Sequence, residues 1–162
     1  MYDIPLFDLN FDEKEEAAVI KTMKSKWISM GAKCEEFERK FAKMLDVKYA
    51  CAVTNCTAAL HLACCALGIK EGDEVLCPSL TFAATVNCIR YVGATPVFVD
   101  ICGNHNLCMD TNQLEKLITK NTKAIIPMHY AGFPCNMTQI MQVAKKYNLF
   151  VIEDACHRQL SV

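Results

Sequence analysis

The 162-residue chain has almost no net charge: 17 Lys and Arg stand against 18 Asp and Glu, a formal −1. Without a basic excess there is no electrostatic footprint for nucleic acid or for an anionic membrane surface. No apolar run approaches the roughly 20 residues that crossing a bilayer takes. The opening Met-Tyr-Asp-Ile-Pro-Leu, followed by the acidic stretch Asp12–Glu16, has neither a basic nor a long apolar leader segment. A secretory signal is therefore not expected, and the chain reads as cytoplasmic, where disulfides are disfavoured. It contains no G-x-G-x-x-G and no Walker A sequence, so dinucleotide and P-loop readings lose their main support. It has no G-x-S-x-G either, so a hydrolase elbow is not indicated. Internal repeats and low-complexity tracts are lacking. A hydrophobic fraction of 52% with 22% charged residues excludes extensive disorder and suits one domain or a piece of a larger one.

What the chain has in excess is cysteine, 11 in all. No pair has the C-x-x-C spacing of a zinc ribbon or a thioredoxin site. Most lie in apolar runs, such as Cys51 in Tyr-Ala-Cys-Ala-Val and Cys64-Cys65 in Leu-Ala-Cys-Cys-Ala-Leu, where a reduced cysteine serves as a small hydrophobe. They are expected to fill the core and to bind no metal. Asp154, Cys156 and His157 form the one cluster of mixed ligand types.

Strand-like and helix-like segments alternate along the chain. Phe37, Phe41 and Met44 at i, i+4, i+7 predict a helix from about Cys34 to Leu45. The apolar run Tyr49–Val53 predicts a buried strand, and Ala58–Leu67, stopped by Gly68, a helix. Strands are expected at Glu74–Cys77, Pro96–Asp100, Ala124–Pro127 and Leu149–Glu153. Helices are expected at Thr81–Tyr91, from Asp110 to Ile118, and at Met137–Lys146; Asp110 with Gln113 and Asn136 with Gln139 have capping spacing. Short, uniformly apolar strands separated by helices predict a parallel sheet covered on both faces by right-handed βαβ crossovers, an α/β fold.

In such sheets ligands bind beyond the carboxyl ends of the strands. There the sequence places Thr54-Asn55-Cys56-Thr57 at a helix start, Pro78-Ser79-Leu80-Thr81-Phe82, Asp100, Met128-His129-Tyr130 and Glu153-Asp154-Ala155-Cys156-His157. Thr57 is a good N-cap, and the same helix start would also hold a phosphate. Phe82 would ordinarily be core, though it could offer a flat face to an aromatic ligand. His129 taken alone reads as a satisfied core histidine. Asp154, a carboxylate at the end of a buried strand, needs partners.

These segments resemble the DegT/DnrJ/StrS family of pyridoxal-phosphate-dependent sugar aminotransferases, in its N-terminal part. The resemblance is carried by Ser25-Lys26-Trp27-Ile28-Ser29-Met30-Gly31, Glu36-Phe37-Glu38, Asn55–Leu62, Gly72–Val75, Pro78–Thr85, Gly93–Asp100, Thr122–His129 and Val151–Ala155, in collinear order. It implies a partial large domain of the aspartate aminotransferase-like, fold-type-I scaffold. The implied arrangement has an N-terminal arm and helix over 1–32, an incomplete cofactor-binding domain over 33–162, and no C-terminal small domain. By the same resemblance Cys56 and Thr57 cradle the cofactor phosphate, Phe82 stacks on the pyridine ring, Asp154 pairs with the pyridine nitrogen, and His157 lies near the ring oxygen. Asp154 and His157 as cofactor ligands displace a metal reading of their cluster.

Two departures stand out. Cys56 occupies a position that is commonly glycine in the family, so its Cβ could hinder approach to the phosphate. After His157 the chain reads Arg158-Gln159-Leu160-Ser161-Val162, with no lysine beyond Lys146, so the Schiff-base lysine of the family is absent. No catalytic residue is then assigned, and the chain alone is expected not to transaminate. The resemblance implies, for the complete enzyme, a homodimer transferring an amino group from glutamate to a nucleotide-linked keto-sugar for polysaccharide biosynthesis. A dehydratase variant of the scaffold, with histidine in place of that lysine, stays open. The alternative is a non-catalytic fragment that binds a cofactor phosphate or pairs with a full-length subunit; a flavodoxin-like nucleotide-binding module is a third reading.

Overall fold

The computed structural model describes residues 9–157. The expectations that touch residues 1–8 and Arg158–Val162 lie outside them. The chain divides into two compact units at Ala52/Val53. The first carries two helices, α1 (Glu13–Lys24) and α2 (Ala32–Met44). Asp12 starts α1 with a full capping box: its carboxylate accepts from Lys14 N–H while Glu15 reaches back to the Asp12 N–H at 2.8 Å. In α2, Lys33 and Lys40 flank Glu36 at 2.8 and 2.7 Å and hold its carboxyl down at about 2. Phe37 and Phe41 stack one turn apart with ring centroids 5.6 Å from each other.

The second unit is the α/β body. Its elements run α3 (Cys56–Ala66), β1 (Glu74–Pro78), α4 (Ala83–Tyr91), β2 (Thr95–Val99), β3 (Ile101–Gly103), β4 (Asn106–Met109), α5 (Leu114–Leu117), β5 (Thr122–Ile125), α6 (Met137–Tyr147) and β6 (Phe150–Val151). Four strands form one parallel sheet in the order β2-β1-β5-β6. The strand alternation explains how both faces are covered. Val75 and Cys77 on β1 and Ala124 on β5, with Ile126 just after it, pack with Leu60, Cys64, Cys88 and Ile89 of α3 and α4. Leu76 and Ile125, pointing the other way, pack with Leu114 of α5 and Ile140, Val143 and Ala144 of α6. Side chains of the central strand β1 thus meet a helix whichever way they point, which is why it reads as an apolar run, whereas β2 and β6 at the sheet edges leave Phe98 and Phe150 exposed.

Strand order reverses in the middle of this sheet. From β1 the chain moves to β2 on one side, then crosses back to β5 and β6 on the other. The crevice beyond the carboxyl ends of β1 and β5 is therefore the topological switch point, the standard ligand position in open α/β sheets.

Several expectations are corrected. Tyr49–Val53 forms no strand; the run has β-prone residues but no neighbour to pair with, and residues 52 and 53 fall on the division between the units. The Asp110 helix is a 3₁₀ turn over Thr111–Gln113 followed by only four α-helical residues, with Asp110 accepting from Asn112 N–H. The antiparallel hairpin β3–β4 was not expected from the apolar pattern; its turn is opened by Gly103 at φ +147°. The cysteines are not uniformly core: Cys64, Cys77, Cys88, Cys108 and Cys135 are buried, whereas Cys51, Cys56, Cys65, Cys102 and Cys156 are exposed. Asn136 does cap α6, accepting from Gln139 N–H, as its spacing predicts. Among the described residues no helix is long and apolar enough to cross a membrane.

Candidate functional site

Asp154 is the centre of the site. It follows β6 and is joined to the extension of β5 by a parallel bridge to Met128: Asp154 N–H donates to Pro127 at 2.9 Å, and His129 N–H donates to the Asp154 carbonyl at 3.1 Å. Its side chain is 2% exposed. A buried carboxylate needs partners, and here they are hydrogen-bond donors rather than a cation. Thr85 donates its hydroxyl to Oδ2 at 2.7 Å, and Cys156 N–H reaches Oδ1 at a long 3.4 Å. Thr85 is itself fully buried in the first turn of α4 and receives the Thr81 hydroxyl at 2.8 Å. A chain Thr81–Thr85–Asp154 thus connects the end of β1 to the end of β6. Oδ1 keeps acceptor capacity for a further donor.

The start of α3 stands beside this carboxylate. The ligand atoms of Cys56, Asp154 and Cys156 all lie within 4.8 Å of one another. Asn55, not Thr57, is the N-cap: its side chain accepts from Ala58 N–H at 2.9 Å, which corrects the expectation for Thr57. Capping by Asn55 leaves Cys56 N–H and Thr57 N–H without an acceptor among the described residues. Two free donors at the positive end of an 11-residue helix are a ready anion cradle. Cys56 is not among the residues with positive φ, so the backbone conformation here demands no glycine.

Phe82 is the extended N-cap residue of α4 and is 67% exposed, so its ring is surface rather than core. His157 is exposed in the turn after β6. Its carbonyl approaches the Tyr130–Gly132 turn so closely that a Cβ on Gly132, already at φ +88°, would sit 3.1 Å from it. His129 is, as expected, a satisfied buried histidine. Its Nδ1 accepts from Cys135 N–H at 3.1 Å, which assigns the proton to Nε2, and that nitrogen lies 3.1 Å from the Glu153 carboxylate. Burial pushes the Cys77 and Cys135 thiols up to about 12, which keeps them protonated.

Of the residues singled out in the sequence, Cys56 and Asp154 are brought together, with Thr57 on the same helix start. Thr85 was missed as a site residue, and Cys156, noted in the sequence beside Asp154 and His157, was given no role. The only available signal for Thr85 was a hydroxyl on the apolar face of a helix.

The description DegT/DnrJ/EryC1/StrS aminotransferase family matches residues 10–159. GDP-perosamine synthase of Escherichia coli O157:H7 is 49% identical over 152 residues, covering 93% of this chain and 42% of that protein. The spore coat polysaccharide biosynthesis protein SpsC of Bacillus subtilis is 46% identical over 156 residues, covering 96% and 39%. The solved structure described as the PLP-form of putative sugar aminotransferase Spr1654 from Streptococcus pneumoniae superposes with a TM-score of 0.90 at 33% identity. It covers 97% of this chain and 44% of that one. The chain spans about two fifths of the length of the curated relatives it matches.

Proposed function

The chain belongs to the DegT/DnrJ/EryC1/StrS aminotransferase family, and on that premise we propose that it carries the cofactor-binding part of a pyridoxal-phosphate-dependent enzyme that aminates a nucleotide-linked keto-sugar. The observation that supports this most is the pairing of a buried, hydroxyl-anchored carboxylate, Asp154, with the uncapped N–H groups at the start of α3. The residues fit the cofactor's two polar ends. Cys56 N–H and Thr57 N–H offer donors to a phosphate, and Asp154 Oδ1 offers an acceptor to a pyridinium N–H. When bound, the cofactor supplies an electron sink for the carbanion formed in amino-group transfer.

The protein's own contribution is to hold charge in place. Thr85 fixes the buried Asp154 so that one carboxylate oxygen stays directed for a proton-bearing nitrogen. The positive end of α3 favours a doubly charged phosphate, and Phe82 presents an exposed face on which a ring can stack. His157, in the turn beyond Asp154, is assigned to the ring oxygen. Glutamate is the proposed amino donor, and a homodimer the proposed assembly.

Within residues 1–162 no lysine follows Lys146, and the proposed reading assigns the proton shuttle to none of the lysines before it. Incubated with pyridoxal phosphate, glutamate and a keto-sugar nucleotide, this polypeptide is expected to produce no 2-oxoglutarate above the protein-free control. Catalytic turnover by it would overturn that assignment.

A further inference from the structure

Cys56 and Cys156 are 100 residues apart in sequence, yet their sulfurs and a carboxylate oxygen of Asp154 lie within 4.8 Å of one another. One thiol is at the first residue of α3, the other in the turn after β6, and the carboxylate beside them accepts the Thr85 hydroxyl at Oδ2. Both cysteines are exposed, so the group opens to solvent on one side while Asp154 closes the other.

We propose that Cys56, Asp154 and Cys156 form a three-ligand site for a thiophilic divalent cation of the Zn²⁺ or Co²⁺ type, with a water in the fourth position. Such ions take thiolate and carboxylate donors at about 2.0–2.3 Å in tetrahedral geometry. Three donors on one ion then stand roughly 3–4 Å apart, which this cluster reaches by small rotations of two exposed cysteine side chains. The donor set is chemically coherent: soft sulfur selects against Mg²⁺ and Ca²⁺, and a carboxylate completes the borderline set that zinc accepts. The Thr85 hydroxyl supplies the outer hydrogen bond that orients the ligating carboxylate.

The metal site stands independently of the cofactor reading, but the two overlap at Cys56 and Asp154. Metal and cofactor would therefore exclude each other, and a thiophilic ion would hold the protein in a cofactor-free state.

Anaerobic titration of the reduced full chain with Co²⁺ tests this. One equivalent should bind with a thiolate-to-cobalt charge-transfer band and the visible absorption of a four-coordinate ion. Cys156→Ser should weaken that binding by roughly tenfold or more, while Cys51→Ser, which alters an exposed cysteine outside the cluster, should leave it unchanged. Far-ultraviolet circular dichroism confirms that both variants are folded. Absence of the charge-transfer band, or equal effects of the two substitutions, would overturn the site. Displacement of bound Co²⁺ by pyridoxamine 5′-phosphate is also expected. A cobalt site that survives saturating pyridoxamine phosphate would count against the cofactor reading and leave the metal site in place.

Discussion

Thr85 decides how well Asp154 can work. Its hydroxyl, 2.7 Å from Oδ2, is the short side-chain contact to this carboxylate among the described residues, and no salt bridge there involves Asp154. Thr85→Val keeps the shape of the side chain but removes the donor, leaving a buried acceptor unsatisfied at a cost of about 1–3 kcal/mol. Thr85→Ser keeps the donor. In urea denaturation the valine variant should lose stability in that range, and the serine variant should lose clearly less. Equal losses would mean that Thr85 matters only for packing. At this scale Asp154 was legible in the sequence because a charge ending an apolar strand is conspicuous. Thr85 was not, because a threonine in the apolar run of a helix looks like filler until its partner, 69 residues away, is located. The same limit hid the Cys56–Cys156 proximity, which depends on where two loops end rather than on spacing.

Among the elements, the helices α2, α3, α4 and α6 follow from periodicity and stop signals with end shifts of a few residues. The four sheet strands follow from short apolar runs. The failures have a common physical cause. Whether Tyr49–Val53 becomes a strand depends on a free neighbour, and whether residues 101–109 become a hairpin depends on a turn, neither of which is fixed by local hydrophobicity. The turn Tyr130–Gly132 brings a testable constraint. Gly132 combines a left-handed φ of +88° with a 3.1 Å approach of the His157 carbonyl to its would-be Cβ. Gly132→Ala should cost about 1–2 kcal/mol from the backbone conformation alone, and it should push the turn carrying His157 away from the site. A lower denaturation midpoint, with weaker pyridoxamine phosphate binding, is the expected result. Unchanged stability would show that the turn yields without cost.

For the whole molecule, the parallel sheet and its two helical layers bring Cys56, Asp154 and Cys156, with Thr85, together beyond the carboxyl ends of the strands. That fold class was readable in full from the alternation of elements. The chain covers about two fifths of its curated relatives, and the proposed site lies within it: the start of α3 as the proposed phosphate cradle and the buried Asp154 as the proposed pyridinium acceptor. Isothermal titration of the full chain with pyridoxamine 5′-phosphate, set against pyridoxamine, tests both ends without the aldehyde that reacts with surface lysines. The account predicts one phosphate-bearing ligand per chain. Pyridoxamine should bind at least roughly tenfold more weakly, a loss of about 1.4 kcal/mol, and Asp154→Asn should weaken pyridoxamine phosphate to a similar degree. Equal affinity for the two ligands, or an Asp154→Asn chain that binds as tightly as the parent, would contradict it.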